Sequence, residues 1–186
     1  IGVRLVGSEM CIRDSLYPVK EEVPTNFFLK HTDSLGWGTW KESWKVFNPN
    51  GVYLLAELER RKLESTFNFN NSLDFLKMLK QQIAGENNSW AIRWYASSFL
   101  ADKLSLFPCK SLVFHNGNDI QGTNSDSSDK WLDVELSETE IPVVDLLVEE
   151  NLEVRAIYEH FFIASRPSLM IRAVSRFRKM YRSYFC

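Results

Sequence analysis

Trp90, Arg93 and Trp94 fall at i, i+3 and i+4 in SWAIRWYASSFL, so a helix would bring them to one face. Flat rings beside a guanidinium suit sugars: aromatic faces take the ring, and Arg forks onto diphosphate oxygens. The alternative is that both tryptophans are core and Arg93 pairs with a nearby acid, and for Trp94 that reading is the favoured one. Gly36-Trp37-Gly38 sets a large ring between two residues that permit unusual backbone angles. Such a loop either presents Trp37 as a platform for a sugar or makes a turn with Trp37 buried. Trp40 and Trp44, also at helical spacing, are expected in the core. Further along, Asn118-Asp119-Ile120-Gln121-Gly122-Thr123-Asn124 is a polar loop whose Asp119 suits an Asx turn or a ligand contact.

These residues need elements to hold them. From Asn88 to Thr123 the chain reads as an aromatic-rich helix, a short apolar strand and a polar loop, an order that puts polar groups in the crevice beyond strand ends of an α/β fold. Leu16 to Leu29 reads as a loop entering a short strand at Phe27 and Phe28. Asn48-Pro49-Asn50-Gly51 is a turn signal. Apolar positions 54, 55, 58 and 63 predict an amphipathic helix over 52–63. Phe67 to Asn71 reads as a loop, Ser72 caps a helix over 73–83, and Asn88 or Ser89 caps one over 90–100. Short strands are expected at 104–107 and 111–115, a loop at 117–129, a broken helix or two over 143–162, and a last helix over 168–185.

With 186 residues, 45% of them hydrophobic, the chain is long and apolar enough for one domain with a sizeable core. A net charge of −2 gives no global pull toward nucleic acid, so no nucleic-acid partner is expected. The three cysteines are far apart and odd in number, which suggests neither a disulfide framework nor a zinc site and points to a reducing compartment. No apolar run reaches bilayer-spanning length. The opening residues have no apolar signal-peptide core. VGSEMCIRDS resembles adapter read-through at the ends of assembled reading frames, so residues 1–15 are set aside as a non-native leader, the alternative being a genuine strand GVRLV followed by a loop.

LGWGTWKESWKVFNPNG, SWAIRWYASSFL and LFPCKSLVFHNGNDIQGT, in that order, resemble the C-terminal half of bacterial family 2 glycosyltransferases. These are inverting, sugar-nucleotide-dependent enzymes of GT-A fold. The resemblance covers most of residues 17–125 and implies an α/β, partial GT-A fold lacking most of the N-terminal nucleotide-binding sheet, followed by C-terminal helices. The implied division is residues 16–130 as the acceptor-side half of the catalytic domain and 131–186 as a helical tail. The full-length parent would hold Mg²⁺ or Mn²⁺ on an acidic signature that is absent before Gly36, where Asp33 stands alone.

The resemblance also assigns roles. Gly36, Trp37, Gly38, Trp90, Arg93 and Asp119 fall where substrate would be bound. Inverting transfer needs a carboxylate to take the acceptor hydroxyl's proton, and the resembling enzymes keep an acid just before the WAIRW helix, where the dipole favours the anion. Asn88 occupies that position and an amide cannot be a base. Glu86, two residues away, is the substitute, with a solvated loop residue as the other reading; Glu42 is a weaker candidate. Asn124 stands where the resembling enzymes have a metal-binding His, and its amide oxygen is a weak ligand. His115 stands where they have Asn, and a packing or capping role is expected for it.

SLMIRAVSRFRKMYRSYF is a basic amphipathic stretch suited to lie on an anionic membrane surface, or else to pack on the domain with a solvated basic face. The sequence thus predicts a fragment, inactive by itself, of a cytoplasmic enzyme peripheral to the inner face of the plasma membrane. The whole enzyme would move a sugar from a nucleotide-sugar donor to a glycan or lipid-linked acceptor in surface polysaccharide or lipopolysaccharide synthesis. The alternative is a non-catalytic carbohydrate- or membrane-binding module of the same descent.

Overall fold

A computed structural model describes residues 9–13, 17–34, 36–113, 134, 136–142 and 144–166. Its architecture is mixed α/β, with strands β1 (Glu9–Arg13), β2 (Asn26–Leu29), β3 (Trp37–Thr39) and β4 (Leu104–Pro108) in the order β2-β4-β1-β3. β4 runs antiparallel to β2 and parallel to β1, while β3 is antiparallel to β1. Among the described residues six helices accompany the sheet: α1 (Lys41–Trp44), α2 (Gly51–Arg60), α3 (Glu64–Phe67), α4 (Phe75–Ile83), α5 (Trp90–Leu100) and α6 (Leu152–Ala164).

Alternation along the strands sorts side chains onto two faces. Phe27, Leu29 and Phe107 join one core with Tyr17 and the α6 residues Val154, Tyr158 and Phe162, whereas Phe28, Leu104 and Leu106 cluster together on the other face. A second large core lies among the helices, where Leu54, Leu58, Phe67, Leu79, Ile92, Tyr95 and Phe99 pack together. The Tyr95 hydroxyl donates to Phe67 O at 2.9 Å, and burial pushes its phenol pKa up.

Caps set the helix ends. Asn50, Ser89 and Asn151 each accept a backbone N–H two or three residues into α2, α5 and α6, as short polar side chains do at N-caps. The cap of α5 is therefore Ser89, and Asn88 lies outside it. Arg155 holds α6 down: it donates to Glu150 at 2.7 Å, to Glu159 at 3.0 Å and to Thr66 O at 2.8 Å, and its guanidinium lies 4.6 Å from the Phe69 ring centre.

Four local expectations change. Glu9–Arg13, within the stretch set aside as a leader, forms a strand of the sheet, because ladder hydrogen bonds need only an extended backbone beside an open edge. Trp37–Thr39 is extended and paired with β1 rather than a free turn. The stretch expected as a loop from Phe67 begins as the end of α3, and Phe69, Asn70 and Asn71 follow with φ of 49°, 49° and 64°. Residues 144–150 are not helical, and α6 starts only after the Asn151 cap. The expected helix over 168–185 lies outside the described residues. Among the described residues no helix is long and apolar enough to cross a membrane.

Candidate aromatic site

α5 supplies Trp90 and Trp94 one turn apart, β3 supplies Trp37, and α1 supplies Trp44. The four indoles meet. Ring centres lie 5.5 Å apart for Trp37 and Trp90, 6.0 Å for Trp37 and Trp94, 6.1 Å for Trp37 and Trp44, 6.1 Å for Trp44 and Trp90, and 4.7 Å for Trp44 and Trp94. Phe47 stacks on Trp44 at 4.8 Å. Trp94 is the floor, 1% exposed, while Trp44 and Trp90 keep 38% and 40% of their surface in contact with solvent and Trp37 is half-buried. Such exposure is unusual for rings this large in a cluster this tight, since apolar area left wet forfeits about 25 cal/mol per Å².

The approach of β3 to its surroundings explains how Trp37 is held. Gly36 has φ of +50°, and a Cβ there would fall 2.3 Å from the Val113 side chain. Only glycine fits both demands. The Gly36 backbone therefore abuts Val113, just beyond Ser111, whose bridge to Leu136 marks all that the described residues hold of the strand expected at 111–115. Gly38 is exposed, with nothing within 4 Å of where a Cβ would be.

Arg93 lies between the two tryptophans in sequence but faces a neighbour of its own: one terminal nitrogen donates to Pro49 O at 3.2 Å. That bond ties α5 to the turn before α2, alongside Asn48 N, which donates to Ser97 Oγ at 3.0 Å. The Arg93 Nε is buried and finds no acceptor among the described residues; the same is true of the Trp94 indole N–H. Buried donors left unpaired cost about 1–3 kcal/mol each.

Of the two residues before α5, Glu86 is exposed and accepts from Gln81 Nε2 at 3.1 Å, and Asn88 is exposed. Glu42, on α1, pairs with Lys45. Asp119, Asn124 and His115 lie outside the described residues. Among the described residues no three carboxylate, imidazole or thiol groups gather as a metal site would need, so these residues do not make a cation site.

Of the residues expected to bind substrate, Trp37 and Trp90 lie together, Arg93 donates to Pro49 O, and Asp119 lies outside the described residues; Trp94 is core as expected. Trp44 is a correction. Its spacing suggested burial, yet it is a half-open ring of the same cluster. The four-residue α1 is too short to fold its side chains under the domain, and none of its residues is buried. Trp40, likewise expected inside, is 40% exposed. The signal for Trp44 was the cluster itself, since its partners sit seven residues before it and more than forty after it. Compared with family models, with curated proteins and with solved structures, the chain matches none.

Proposed function

We propose that the Trp37–Trp44–Trp90 surface is the acceptor-side wall of a sugar-transfer cleft, in a chain derived from an inverting glycosyltransferase. The observation that carries the reading is one arrangement: Trp37 and Trp90 with ring centres 5.5 Å apart, joined by Trp44, all partly open to solvent above a buried Trp94. Apolar rings fixed in place, with few polar groups at their margin, are how proteins orient a ligand that has both C–H faces and hydroxyls. In the whole enzyme an acceptor hydroxyl would attack the anomeric carbon of a nucleotide-sugar as the bond to the diphosphate breaks. Its proton would pass to a carboxylate, for which Glu86 is the candidate on this chain. The divalent cation of the parent belongs to the donor side and would be held by residues other than those described.

Titration calorimetry tests the division of labour. The chain should bind oligosaccharide and give no heat with UDP- or GDP-sugars plus Mn²⁺; micromolar donor binding would overturn the acceptor-half assignment. A second reading, carbohydrate binding without transfer, is favoured by the exposed amide of Asn88 at the position of the expected base. Restoring that acid with Asn88→Asp in a full-length parent separates the two: activity already present without the change argues against a degenerate module. Peripheral membrane attachment through residues 168–185 is a further part of the proposal, and flotation with anionic liposomes tests it.

A further inference from the structure

We propose that the C-terminal segment 168–185 docks on the outer face of α6 as the second arm of an antiparallel helical hairpin. The proposal stands apart from the sugar-transfer reading. Three observations lead to it.

The first is an uncovered face. α6 turns Val154, Arg155, Tyr158 and Phe162 inward. Leu152, Ala156, His160 and Ile163 follow one another at helical spacing, so they share the opposite face, and all four are exposed. Leu152 keeps 67% of its surface in solvent and Ile163 51%; Leu147, just before the helix, keeps 78%. Apolar groups left wet along one helix face mark a surface that a second element can cover. The second is reach. Ser165 and Arg166 close α6 with backbone bonds to Phe161 O and Ile163 O. The Arg166 guanidinium donates to Asn71 O, which ties the chain down at that end, and 20 residues follow it. Ser165, Arg166 and Pro167 make a connector of the length that joins antiparallel helices, about 2–5 residues. At about 1.5 Å per residue, the expected helix over 168–185 runs about 27 Å against about 20 Å for α6. Its far end therefore passes Leu152 and arrives at Leu147.

The third is charge in register with the apolar groups. Asp145, Glu149 and Glu153 are exposed at the N-terminal end of α6, and none has an ion pair among the described residues. From Arg166 to Arg182 the chain carries six bases and no acid. Met170, Val174, Phe177, Tyr181 and Tyr184 recur every three or four residues and make one stripe. With Ala164 opposite Ser168, that stripe sets Met170 near Ile163 and Tyr181 near Leu152. Arg178 and Arg182 flank the stripe on one side, four residues apart, and an antiparallel hairpin brings that side to Glu153 and Glu149. The same stripe would face lipid in the peripheral attachment proposed above, so attachment requires the hairpin to open.

Hydrogen exchange of the full chain, read by mass spectrometry on peptides covering 168–185, tests the docking. The parent chain should exchange there more slowly than a free peptide of the same sequence, at every protein concentration. Arg178→Glu with Arg182→Glu should speed that exchange about fivefold, since two exposed ion pairs become repulsions. Adding Glu149→Lys with Glu153→Lys should restore the slow rate. Exchange at the free-peptide rate in the parent, or a loss that the second pair does not rescue, would overturn the proposal. Protection that appears only as concentration rises makes the occupant a second copy of the chain. Protection that appears only with vesicles of phosphatidylcholine and phosphatidylserine makes it lipid. Either result also overturns the hairpin, and neither touches the reading of Trp37 and Trp90.

Discussion

Two aromatic clusters in this chain are built from similar parts and meet different ends. Around His31, the rings of Phe69, Phe75 and Tyr95 lie 5.0, 5.4 and 4.9 Å away, spacings much like those of the tryptophan group. The His31 group is sealed. α6 covers the adjoining core, the Tyr17 hydroxyl meets His31 Nε2 at 3.3 Å and Asp33 Oδ2 at 3.2 Å, and Arg155 closes the rim over Phe69. The tryptophan group has a buried floor, and among the described residues no element lies across Trp44 and Trp90, which stay 38% and 40% exposed. Ring chemistry alone therefore does not separate core from site. What separates them is whether, among the described residues, an element lies across the rings.

Mutations can break or sharpen that contrast. The largest effect is expected at the seal. Arg155→Ala leaves Thr66 O without this donor and strips the cation from Glu150 and Glu159, which keep Lys30 N and Asn70 Nδ2 as donors, and loss of one member of a buried charge cluster costs about 3–5 kcal/mol. Denaturant unfolding should show it, and Arg155→Lys should recover only part, because an ammonium cannot serve three acceptors held in a fixed fork. Next is Gly36→Ala, which meets both a positive φ and the Val113 side chain and should cost about 1–3 kcal/mol. The same change should weaken sugar binding, since Gly36 sets the course of β3 into Trp37.

A smaller effect depends on pH. Hydrogen bonds from Arg60, aided by its charge and by Arg61, hold the Glu57 carboxyl down to about 2. A carboxyl depressed on folding stabilises fully above its ordinary value of 4.5, and that contribution disappears as pH falls toward about 2. Unfolding midpoints measured through that window should fall less steeply in Glu57→Gln than in the parent chain. Because Arg61 also donates to Leu100 O at 3.0 Å, the group ties α2 to the end of α5, well away from the tryptophans, so sugar binding should not follow it. Trp44→Ala should also cost less than Arg155→Ala, about 1–2 kcal/mol, because the ring packs on Trp37, Trp90, Trp94 and Phe47 yet keeps 38% of its surface in solvent. Equality of the Trp44 and Arg155 penalties would erase the distinction between the clusters.

Much of the scaffold was legible in the sequence. SWAIRWYASSFL predicted a helix over 90–100, and α5 has those bounds; residues 104–107 became β4 with Pro108 added. Helical periodicity also placed α2 and α4 to within three residues at each end. These segments were legible because local pattern and burial agree. Long-range facts were not. β1 became a strand through pairing with β3 and β4, which no local pattern announces. α3 hides in a stretch of Asn, Ser and Thr that reads as loop. Arg155 looked like any basic residue between apolar ones, and its partners lie at Thr66, Glu150 and Glu159. The meeting of Trp37 with Trp90 and the openness of Trp44 depend on long-range pairing, on the shortness of α1 and, among the described residues, on the lack of a covering element, none of which periodicity records.

The most direct measurement is a fluorescence titration of the chain with methyl glycosides of di- and trisaccharides, run beside a Trp37→Ala/Trp90→Ala variant whose unfolding midpoint is checked in parallel. An acceptor wall predicts a saturable signal in the parent chain that the folded variant lacks. A saturable signal that survives in the variant, or none in the parent, contradicts it.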